Sequence, residues 1–372
     1  MTRKEIWKRA EECLHLIYGD DAALKIVNRF LEEKKAFEHL GIGEYFDQLA
    51  SIVEESIANN EGLIVKNTIS SCLTSSLLGA SEVNPLPVHY HCKKCGDLIW
   101  AEVGSCAFDM KPRMCECGGS MAADGFDLCW QTYLPYGERL NVKDPVPKTY
   151  KDLFEVLTKK HFQVSLLSVA QVCNFLGEKT GVYPHEIDLS CAKVKEQVLS
   201  GKFDSFPPKL AEFLRDAYSV VQPQTYSELL QLFSLSKGTN TWRNNAKDLL
   251  RNGVCKLCKI PTSRDELFLQ IRDAMTECGF YDSGFAYDVM NKTRKGYYRE
   301  YGMDESSRTL YMLGFDKWFV DYLSRVAYLA PKALSVLELR FCILLTWYQT
   351  YYPKQYEMIG DESIWEGGQD NG

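Results

Sequence analysis

Apolar residues recur three and four positions apart through much of the first 80 residues. This spacing places them on one face of a helix, so it predicts amphipathic helices over Ala10–Tyr18, Ala22–Phe37 and Tyr45–Ala58. Glycines interrupt the pattern between the second and third of these segments. The sequence therefore predicts a helical unit over residues 1–83.

The pattern changes between residues 84 and 136. Prolines and glycines replace the helical period, and two short β-prone runs, His89–His91 and Leu98–Trp100, lie among turn residues. We expect a small β module inserted between helical segments. Residues 137–148 contain two prolines among charged residues and predict a linker.

The helical period returns after the linker and continues over residues 149–355. Capping boxes at Thr225-x-x-Glu228 and Ser263-x-x-Glu266 predict two helix starts, and Gly279 and Gly296 predict two helix ends. This part of the chain is expected to be almost wholly helical. The predicted fold class is therefore mainly α, of the α+β type.

Composition narrows the class of protein. With 372 residues, of which 45% are hydrophobic, the chain can bury ordinary cores. It has no run of about 18 uncharged apolar residues, so we expect neither export nor a membrane span. The 14 cysteines are scattered over a long chain, which favours the reducing cytoplasm over a disulfide framework. The acidic end, residues 356–372, predicts a disordered tail.

Charge is distributed unevenly along the chain. The net charge is −7, but Lys237 to Arg299 contain 12 Lys/Arg and 7 Asp/Glu, a local +5, so the remainder carries −12. A nucleic-acid surface is therefore expected in this segment. A solvated helical face of mixed charge is the alternative interpretation of the same composition.

Four cysteines stand in two close pairs within the β module. Cys92 and Cys95 form C-x-x-C, and Cys115 and Cys117 form C-x-C, with Met114 where a wider second pair would begin. Four thiolates can complete a tetrahedral zinc site that leaves no position open for substrate, so the pattern predicts a structural zinc ribbon. The alternatives are a few buried thiols, or a site completed by His89, His91 or Cys106.

Distinctive stretches follow one another in a fixed order. They are Leu16–Asp20, Glu82–Cys92, Asp124–Asp127, Gly181–Ile187, Ser236–Lys247, Arg294–Gly296 and Pro331–Ala333. In residues, order and spacing they resemble the palm, zinc-ribbon and fingers regions of PolC-type DNA polymerase III, the C-family replicative polymerase of Gram-positive bacteria. The resemblance runs from about Arg9 to Pro353. It implies a helical palm remnant with an inserted zinc ribbon, followed by an all-helical fingers-like domain.

The resemblance also implies contacts with DNA, because fingers domains of that family bind it through basic residues and backbone amides. By this likeness the contacting residues would be Lys237, Gly238, Thr239, Arg243 and Lys247, with Lys292, Arg294 and Lys295 on a second edge. Lys and Arg neutralise phosphates without reading sequence, so we expect nonspecific, salt-sensitive binding to primer–template or duplex DNA. Each side chain taken alone can equally be a solvated charge.

The chain departs from the family where that family carries out its chemistry. Counted without a gap, the family's metal-binding aspartates fall on Lys143 and Pro145, beside Asp144, and its third carboxylate falls on Gln163. The triphosphate loop corresponds to Ile64–Cys72, which contains no glycine. Two-metal phosphoryl transfer needs several carboxylates, so these departures predict that the chain is not an enzyme and has no catalytic residues.

Three functions fit these expectations. The first is a non-catalytic PolC-like protein that binds DNA as a replication-associated accessory or interfering factor, with replisome proteins as further partners and no membrane partner. The second is a protein-interaction module derived from a polymerase. The third is part of a DNA-directed DNA polymerase completed by another chain. We favour the first, because basic fingers residues are kept beside the missing carboxylates.

Overall fold

The computed structural model describes residues 3–20, 22–40, 50–51, 63–65, 68–102, 106–132, 164–166 and 168–359. Helices dominate these residues, which confirms the mainly α (α+β) fold class. The chain divides into two compact units, Met1–Trp130 with Gly137–Lys195 and Arg340–Gly372, and Gln131–Tyr136 with Glu196–Leu339. The domain boundaries expected from the sequence stay a prediction. The expected linker and residues 360–372 of the expected tail lie outside the described residues.

The first unit begins with two amphipathic helices, α1 (Arg3–Tyr18) and α2 (Leu24–Leu40), which confirms both helices predicted there. Their apolar faces are buried, and the ring of Trp7 stacks on that of Phe37 with 6.2 Å between centroids. The helix predicted over Tyr45–Ala58 lies outside the described residues except at positions 50 and 51, which are helical.

A buried carboxylate holds the start of the short helix α3 (Leu73–Leu77). Glu33 accepts hydrogen bonds from the N–H of Leu73 at 2.8 Å and from the N–H and hydroxyl of Thr74 at 2.9 and 3.0 Å. Arg29 Nε lies 2.6 Å from the same carboxylate. The first N–H groups of a helix have no partner within it, so Glu33 satisfies donors that would otherwise be buried unpaired.

Two short strands form an antiparallel ladder, β1 (Leu63–Val65) with β6 (Val164–Leu166), in which Leu63 lies opposite Leu166. Neither strand was expected: residues 63–65 belong to the predicted helical unit, and residues 164–166 to a region expected to be almost wholly helical. The strands depart from that expectation locally, while the mainly α class holds. Three-residue strands give too few alternating positions to be recognised locally, and each is stabilised by a partner about 100 residues away.

The β module is a four-stranded antiparallel sheet in the order β3–β2–β5–β4. Its strands are β2 (His89–Cys92), β3 (Leu98–Trp100), β4 (Arg113–Met114) and β5 (Ser120–Asp124). The first two are the β-prone runs predicted from the sequence. Cys92, at the end of β2, lies opposite the fully buried Met121 of β5. This register places the ends of the strands, and the turns that join them, beside the paired cysteines.

Helices make up most of the remaining described chain. They are α4 (Ser168–Thr180), α5 (Ala192–Leu199), α6 (Pro208–Tyr218), α7 (Tyr226–Lys237), α8 (Lys247–Arg251), α9 (Arg264–Glu277), α10 (Gly284–Arg294), α11 (Tyr297–Tyr301), α12 (Asp304–Met312), α13 (Lys317–Arg325), α14 (Lys332–Tyr351) and α15 (Pro353–Tyr356). Short 3₁₀ turns lie at Thr68–Ser71, Ala107–Asp109, Trp130–Thr132, Pro184–Glu186, Leu257–Lys259 and Glu357–Ile359. Within the described part of the chain, no helix is both long and apolar enough to cross a membrane.

Local signals set several of these helix boundaries. The hydroxyl of Thr225 accepts from the N–H of Glu228 at 3.1 Å at the start of α7, and the hydroxyl of Ser263 accepts from the N–H of Glu266 at 3.3 Å at the start of α9. Both predicted helix starts are therefore confirmed. Gly296, just after α10, has a left-handed φ of +69°, which ends that helix as predicted.

Candidate metal centre and nucleic-acid interface

The four cysteines predicted as metal ligands lie together in the turns of the four-stranded sheet. The Sγ atoms of Cys92 and Cys117 are 3.5 Å apart, as are those of Cys95 and Cys115, and all four lie within 4.8 Å of one another. These separations exceed the S–S bond of about 2.05 Å in a disulfide. They resemble the spacing of about 3.8 Å expected for four thiolates about 2.3 Å from one central ion. The cluster is therefore compatible with a metal site.

The residues considered as alternative ligands are not part of this cluster, which among the described residues contains the four cysteines alone. Nδ1 of His89 lies 2.8 Å from the carbonyl oxygen of Pro87, and the ring of His91 packs against that of Tyr18 at 5.2 Å between centroids. Met114 is 66% exposed. The C-x-C pair therefore brings both of its sulfurs to the cluster without help from a neighbour.

Backbone groups and glycines shape the cluster. Hydrogen bonds from backbone N–H groups, that of Cys95 foremost, lower the pKa of the Cys92 thiol to about 6, whereas the neighbouring thiols and burial raise the pKa values of Cys95 and Cys115. At Cys92 the backbone therefore favours the thiolate form that a metal binds. Gly96 and Gly118, which follow the two cysteine pairs, have left-handed φ angles of +78° and +77°. They allow the chain to reverse directly after each pair.

Gly119 was not singled out in the sequence, yet its backbone lies directly against the cysteine sulfurs. A Cβ atom added there would lie 2.8 Å from Sγ of Cys92 and 3.4 Å from Sγ of Cys117. The first distance is too short for any side chain. The sequence signal for this close approach was the pair of consecutive glycines after Cys117. Of the two, only the second approaches the sulfurs.

The Ser236–Lys247 segment follows α7 and turns sharply within the second unit. Asn240 and Asn244 have left-handed φ angles of +59° and +56°, a conformation that asparagine tolerates better than most residues. Trp242 is 4% exposed, and its indole Nε1 donates to Oδ2 of Asp216 at 2.7 Å. Trp242 is therefore part of the core and offers no face on which a base could stack.

A cavity of about 340 Å³ lies against this segment. Its lining includes two cations, Lys209 and Arg243, and two acids, Glu212 and Asp216, beside Trp242. Opposite charges share the cavity, so its lining does not form a purely cationic phosphate site. The basic character of the segment is instead expressed by the side chains that reach solvent.

Two of the predicted DNA-contacting lysines take part in intramolecular ion pairs. Lys237 Nζ lies 2.7 Å from Oε1 of Glu338, and Lys247 donates to Oδ1 of Asp216. The Lys247 ammonium, with the indole of Trp242, holds the pKa of the Asp216 carboxyl below its usual range. Both lysines are largely buried, so part of their charge is neutralised within the unit.

The other predicted cations are more accessible. Arg243 and Lys295 are exposed. Lys292 pairs with Asp288 one helical turn earlier at 2.7 Å. Arg294 is half-buried, and its Nε donates to Oδ1 of Asn291 at 3.0 Å. Arg243 and Lys295 are therefore the cations best placed to meet phosphates from solvent.

The backbone at Ala327 joins the two predicted segments. The N–H of Thr239 donates to the carbonyl oxygen of Tyr328 at 2.9 Å, and the carbonyl oxygen of Thr239 accepts from the N–H of Ala327 at 3.0 Å. A Cβ atom added to Gly296 would lie 2.8 Å from the carbonyl oxygen of Ala327, and one added to Gly238 would lie 3.0 Å from that of Tyr328. Glycines thus allow both segments to pack on one backbone, an arrangement that no local sequence pattern indicated.

No family model matches the chain. Among curated proteins it is similar to several named DNA polymerase III PolC-type. The one from Caldanaerobacter subterraneus subsp. tengcongensis is 22% identical over 95% of this chain and 34% of its own length. Those from Lacticaseibacillus paracasei and Thermotoga petrophila are each 22% identical, over 92% and 96% of this chain and 32% and 34% of their own lengths.

The chain is a homologue of PolC-type DNA polymerase III. This confirms the resemblance found in the sequence, and it supports a polymerase-related function. The PolC-like chain spans about a third of the length of the curated relatives it matches.

These comparisons contradict the prediction that the PolC-like chain is not an enzyme, because the relatives are named as polymerases, which are enzymes. The described residues give no positive sign that catalytic residues are lost. Of the positions on which the prediction rested, Lys143, Asp144, Pro145 and Gln163 lie outside them, whereas the glycine-free stretch 64–72 is described except at 66–67. The alignment with the Caldanaerobacter relative extends over 477 positions, whereas this chain has 372 residues, so it contains gaps. A count without gaps therefore does not locate the family's carboxylates.

Proposed function

We propose that this PolC-like chain acts in DNA replication, in the cytoplasm, by binding primer–template duplex without sequence preference. The observation that carries the proposal is the packing of Thr239 and Gly296 on the backbone of Ala327. Because both pack on the same backbone, the segments that contain Arg243 and Lys295 are held next to each other. The relatives are named as DNA polymerases, which supports DNA as the ligand.

The chemistry of these segments favours phosphate contacts over base contacts. Arg243 and Lys295 carry exposed positive charge, while the one tryptophan of the first segment, Trp242, is buried. Binding that neutralises phosphates releases counterions, so its affinity falls with salt and is similar for all sequences. The backbone N–H groups of Gly238 and Thr239 do not add to these phosphate contacts, because they donate to the carbonyl oxygens of Leu235 and Tyr328 at 3.3 and 2.9 Å.

Fluorescence anisotropy of the full chain on a labelled primer–template, titrated with salt, tests the proposal. We expect the double variant Arg243→Ala/Lys295→Ala to weaken binding equally on several sequences and to reduce the salt slope by about 2. Lys317→Ala is the control, because Lys317 is a 79% exposed cation of the same unit that lies outside both segments and pairs with Asp321. Affinity and salt slope that are the same in the double variant and the wild type would contradict the proposal.

A protein-interaction module is the second candidate, and the observation that favours it is the charge of −12 outside the basic segment. Absence of binding to primer–template at low salt would support the protein-interaction module over the DNA-binding protein.

The same samples, supplied with Mg²⁺ and nucleotides, measure primer extension. Extension by the chain alone would assign it polymerase activity, and extension only with a second chain would support the polymerase completed in trans.

We further propose that the four-cysteine cluster holds one structural zinc ion. Four thiolates with no open ligand position suit zinc in a structural role, and all four ligands come from the chain itself. Elemental analysis is expected to find one zinc per chain, and Cys95→Ser to lose it together with thermal stability. Cys258→Ser, an exposed cysteine outside the cluster, is the control. Iron in stoichiometric amount, or equal zinc in both variants, would contradict the proposal.

A further inference from the structure

Two exposed tyrosines form a tilted ring pair on the surface of α11. Tyr297 and Tyr301 are 45% and 71% exposed, and their ring centroids are 4.7 Å apart with an interplanar angle of 38°. Residues four apart lie on the same face of a helix, so one turn presents both rings to solvent. Core packing does not account for this pair, because the rings face outward.

The helix beneath the pair is firmly held. Tyr298, between the two exposed rings, is 3% exposed, and its hydroxyl lies 2.9 Å from that of Ser306. Gly296, directly before α11, packs against the backbone of Ala327 so closely that no side chain would fit. The two rings are therefore presented by a fixed element, which reduces the conformational entropy lost on binding a ligand.

Positive charge surrounds the pair. Residues 288–301 contain four Lys/Arg and two Asp/Glu. Nζ of Lys292 lies 5.8 Å from the ring centroid of Tyr297 and 2.7 Å from Oδ2 of Asp288. The charges of Lys292 and Asp288 therefore offset each other. Lys295 is exposed two residues before Tyr297, and Glu300 is the exposed acid of the same helix. A ligand with flat apolar rings and negative charge complements this combination.

We infer that Tyr297 and Tyr301 form a base-stacking site for single-stranded DNA, beside the exposed Lys295, which meets its phosphates. Single strands offer unpaired bases whose faces stack on aromatic side chains, whereas the bases of a duplex are already stacked on one another. The inference deepens the proposed function, because a primer–template carries a single-stranded overhang beside its duplex. It assigns that overhang to α11, which begins two residues after Lys295, and leaves the duplex to the two segments that contain Arg243 and Lys295.

Anisotropy with two labelled strands of about 16 nucleotides, oligo-dT and an abasic strand of equal length, tests the site, because the abasic strand keeps the phosphates and lacks the bases. We expect the wild type to prefer oligo-dT by at least about fivefold and Tyr297→Ala/Tyr301→Ala to lose that preference. Tyr297→Phe/Tyr301→Phe keeps the rings and is expected to keep the preference. Tyr281→Ala, which removes an 84% exposed tyrosine elsewhere, is the matched control.

The outcomes separate this inference from the proposed function. A wild type that binds duplex but binds both single strands equally would overturn the stacking site and leave the proposed function standing. The same holds if the preference for oligo-dT survives in the double alanine variant. A wild type that binds neither duplex nor single strand would overturn both. A preference that disappears with alanine and persists with phenylalanine, at unchanged duplex affinity, supports the stacking site.

Discussion

The side-chain amide of Asn84 donates a hydrogen bond of 2.8 Å to Oδ2 of Asp124, forty residues further along the chain. The second amide hydrogen is donated to the hydroxyl of Tyr18 at 2.9 Å, and the amide oxygen accepts from the N–H of Leu86 at 3.1 Å. Tyr18, Asn84 and Asp124 belong to three of the stretches that resemble the PolC family. One buried amide therefore holds together residues that the sequence could only place in order.

The first prediction concerns this amide. Asn84→Ala removes three hydrogen bonds and leaves the buried hydroxyl of Tyr18 without its donor, so we expect a loss of about 1–3 kcal/mol in the free energy of unfolding. Tyr18→Phe removes one bond and is expected to cost about 1 kcal/mol. Urea unfolding of both variants and of the double variant measures the coupling. Fully additive losses would show that the Asn84–Tyr18 hydrogen bond contributes nothing to stability. Asn252→Ala, which removes an exposed asparagine side chain, is the control.

The comparison of sequence and structure shows which interactions leave a local trace. The capping boxes at Thr225 and Ser263 were predictable, because donor and acceptor are three residues apart. The cysteine pairs were predictable because two ligands of each pair share one turn. In both cases the chemistry is contained within a few consecutive residues, so the residue types alone report it.

Interactions between distant segments left no such trace. The ion pair of Lys247 with Asp216 joins residues 31 apart, and the pairing of Thr239 with Tyr328 uses backbone atoms that are identical in every residue. The strand Val164–Leu166 is likewise defined by its distant partner. For this reason the basic segment was predicted as a surface, while the partial neutralisation of its lysines was not.

The second prediction concerns the buried carboxylate of Glu33. Glu33→Ala leaves Nε of Arg29 and the first N–H groups of α3 without their acceptor and removes the counter-charge of a buried guanidinium, so we expect a loss of about 3–5 kcal/mol in the free energy of unfolding. Glu33→Gln keeps an oxygen acceptor and is expected to lose less. Urea unfolding of both variants measures this, with the exposed neighbour Glu32→Ala as the control. Equal losses for Glu33→Ala and Glu32→Ala would contradict it.

The third prediction concerns the pH dependence of stability at Asp216. Hydrogen bonds from Lys247 and Trp242 hold the pKa of this carboxyl below its value in the unfolded chain. The stabilisation is therefore complete above the unfolded pKa of about 3.9 and is lost as the pH falls toward the lower folded pKa.

We expect the wild type to melt higher than Asp216→Asn by a constant amount above about pH 5, and the gap to close below about pH 4. Melting temperatures measured across this range test it. The exposed Asp204→Asn is the control, for which no such closing gap is expected. A gap that stays constant down to the acid limit would show that the ion pair does not set the pKa.

The fourth prediction concerns Gly119 in the metal centre. Gly119→Ala places a methyl group 2.8 Å from Sγ of Cys92, so the thiolates must move apart and a chelator is expected to remove the metal faster. Gly118→Ala meets nothing within 4 Å and bears only the cost of its left-handed φ, about 1–2 kcal/mol. Release of metal to a chromogenic chelator compares the two. Equal release rates would show that contact with the sulfurs is unimportant.

The fifth prediction concerns Gly296, where the α10–α11 turn meets the backbone of Ala327. Gly296 and Gly279 both follow a helix with left-handed φ angles, +69° and +84°, so alanine at either position bears about the same conformational cost of 1–2 kcal/mol. A methyl group on Gly296 would in addition lie 2.8 Å from the carbonyl oxygen of Ala327, whereas one on Gly279 meets nothing within 4 Å. The excess loss of unfolding free energy in Gly296→Ala therefore measures the close approach.

Because Ala327 is also bonded to Thr239, the displacement is expected to reach the Ser236–Lys247 segment. At a temperature where both variants are folded, we expect Gly296→Ala to bind primer–template more weakly and Gly279→Ala to bind it as the wild type does. Anisotropy and urea unfolding on the same preparations separate affinity from stability. Equal affinities, despite a larger loss of stability in Gly296→Ala, would show that the Ala327 backbone supports the fold without positioning the DNA-binding segment.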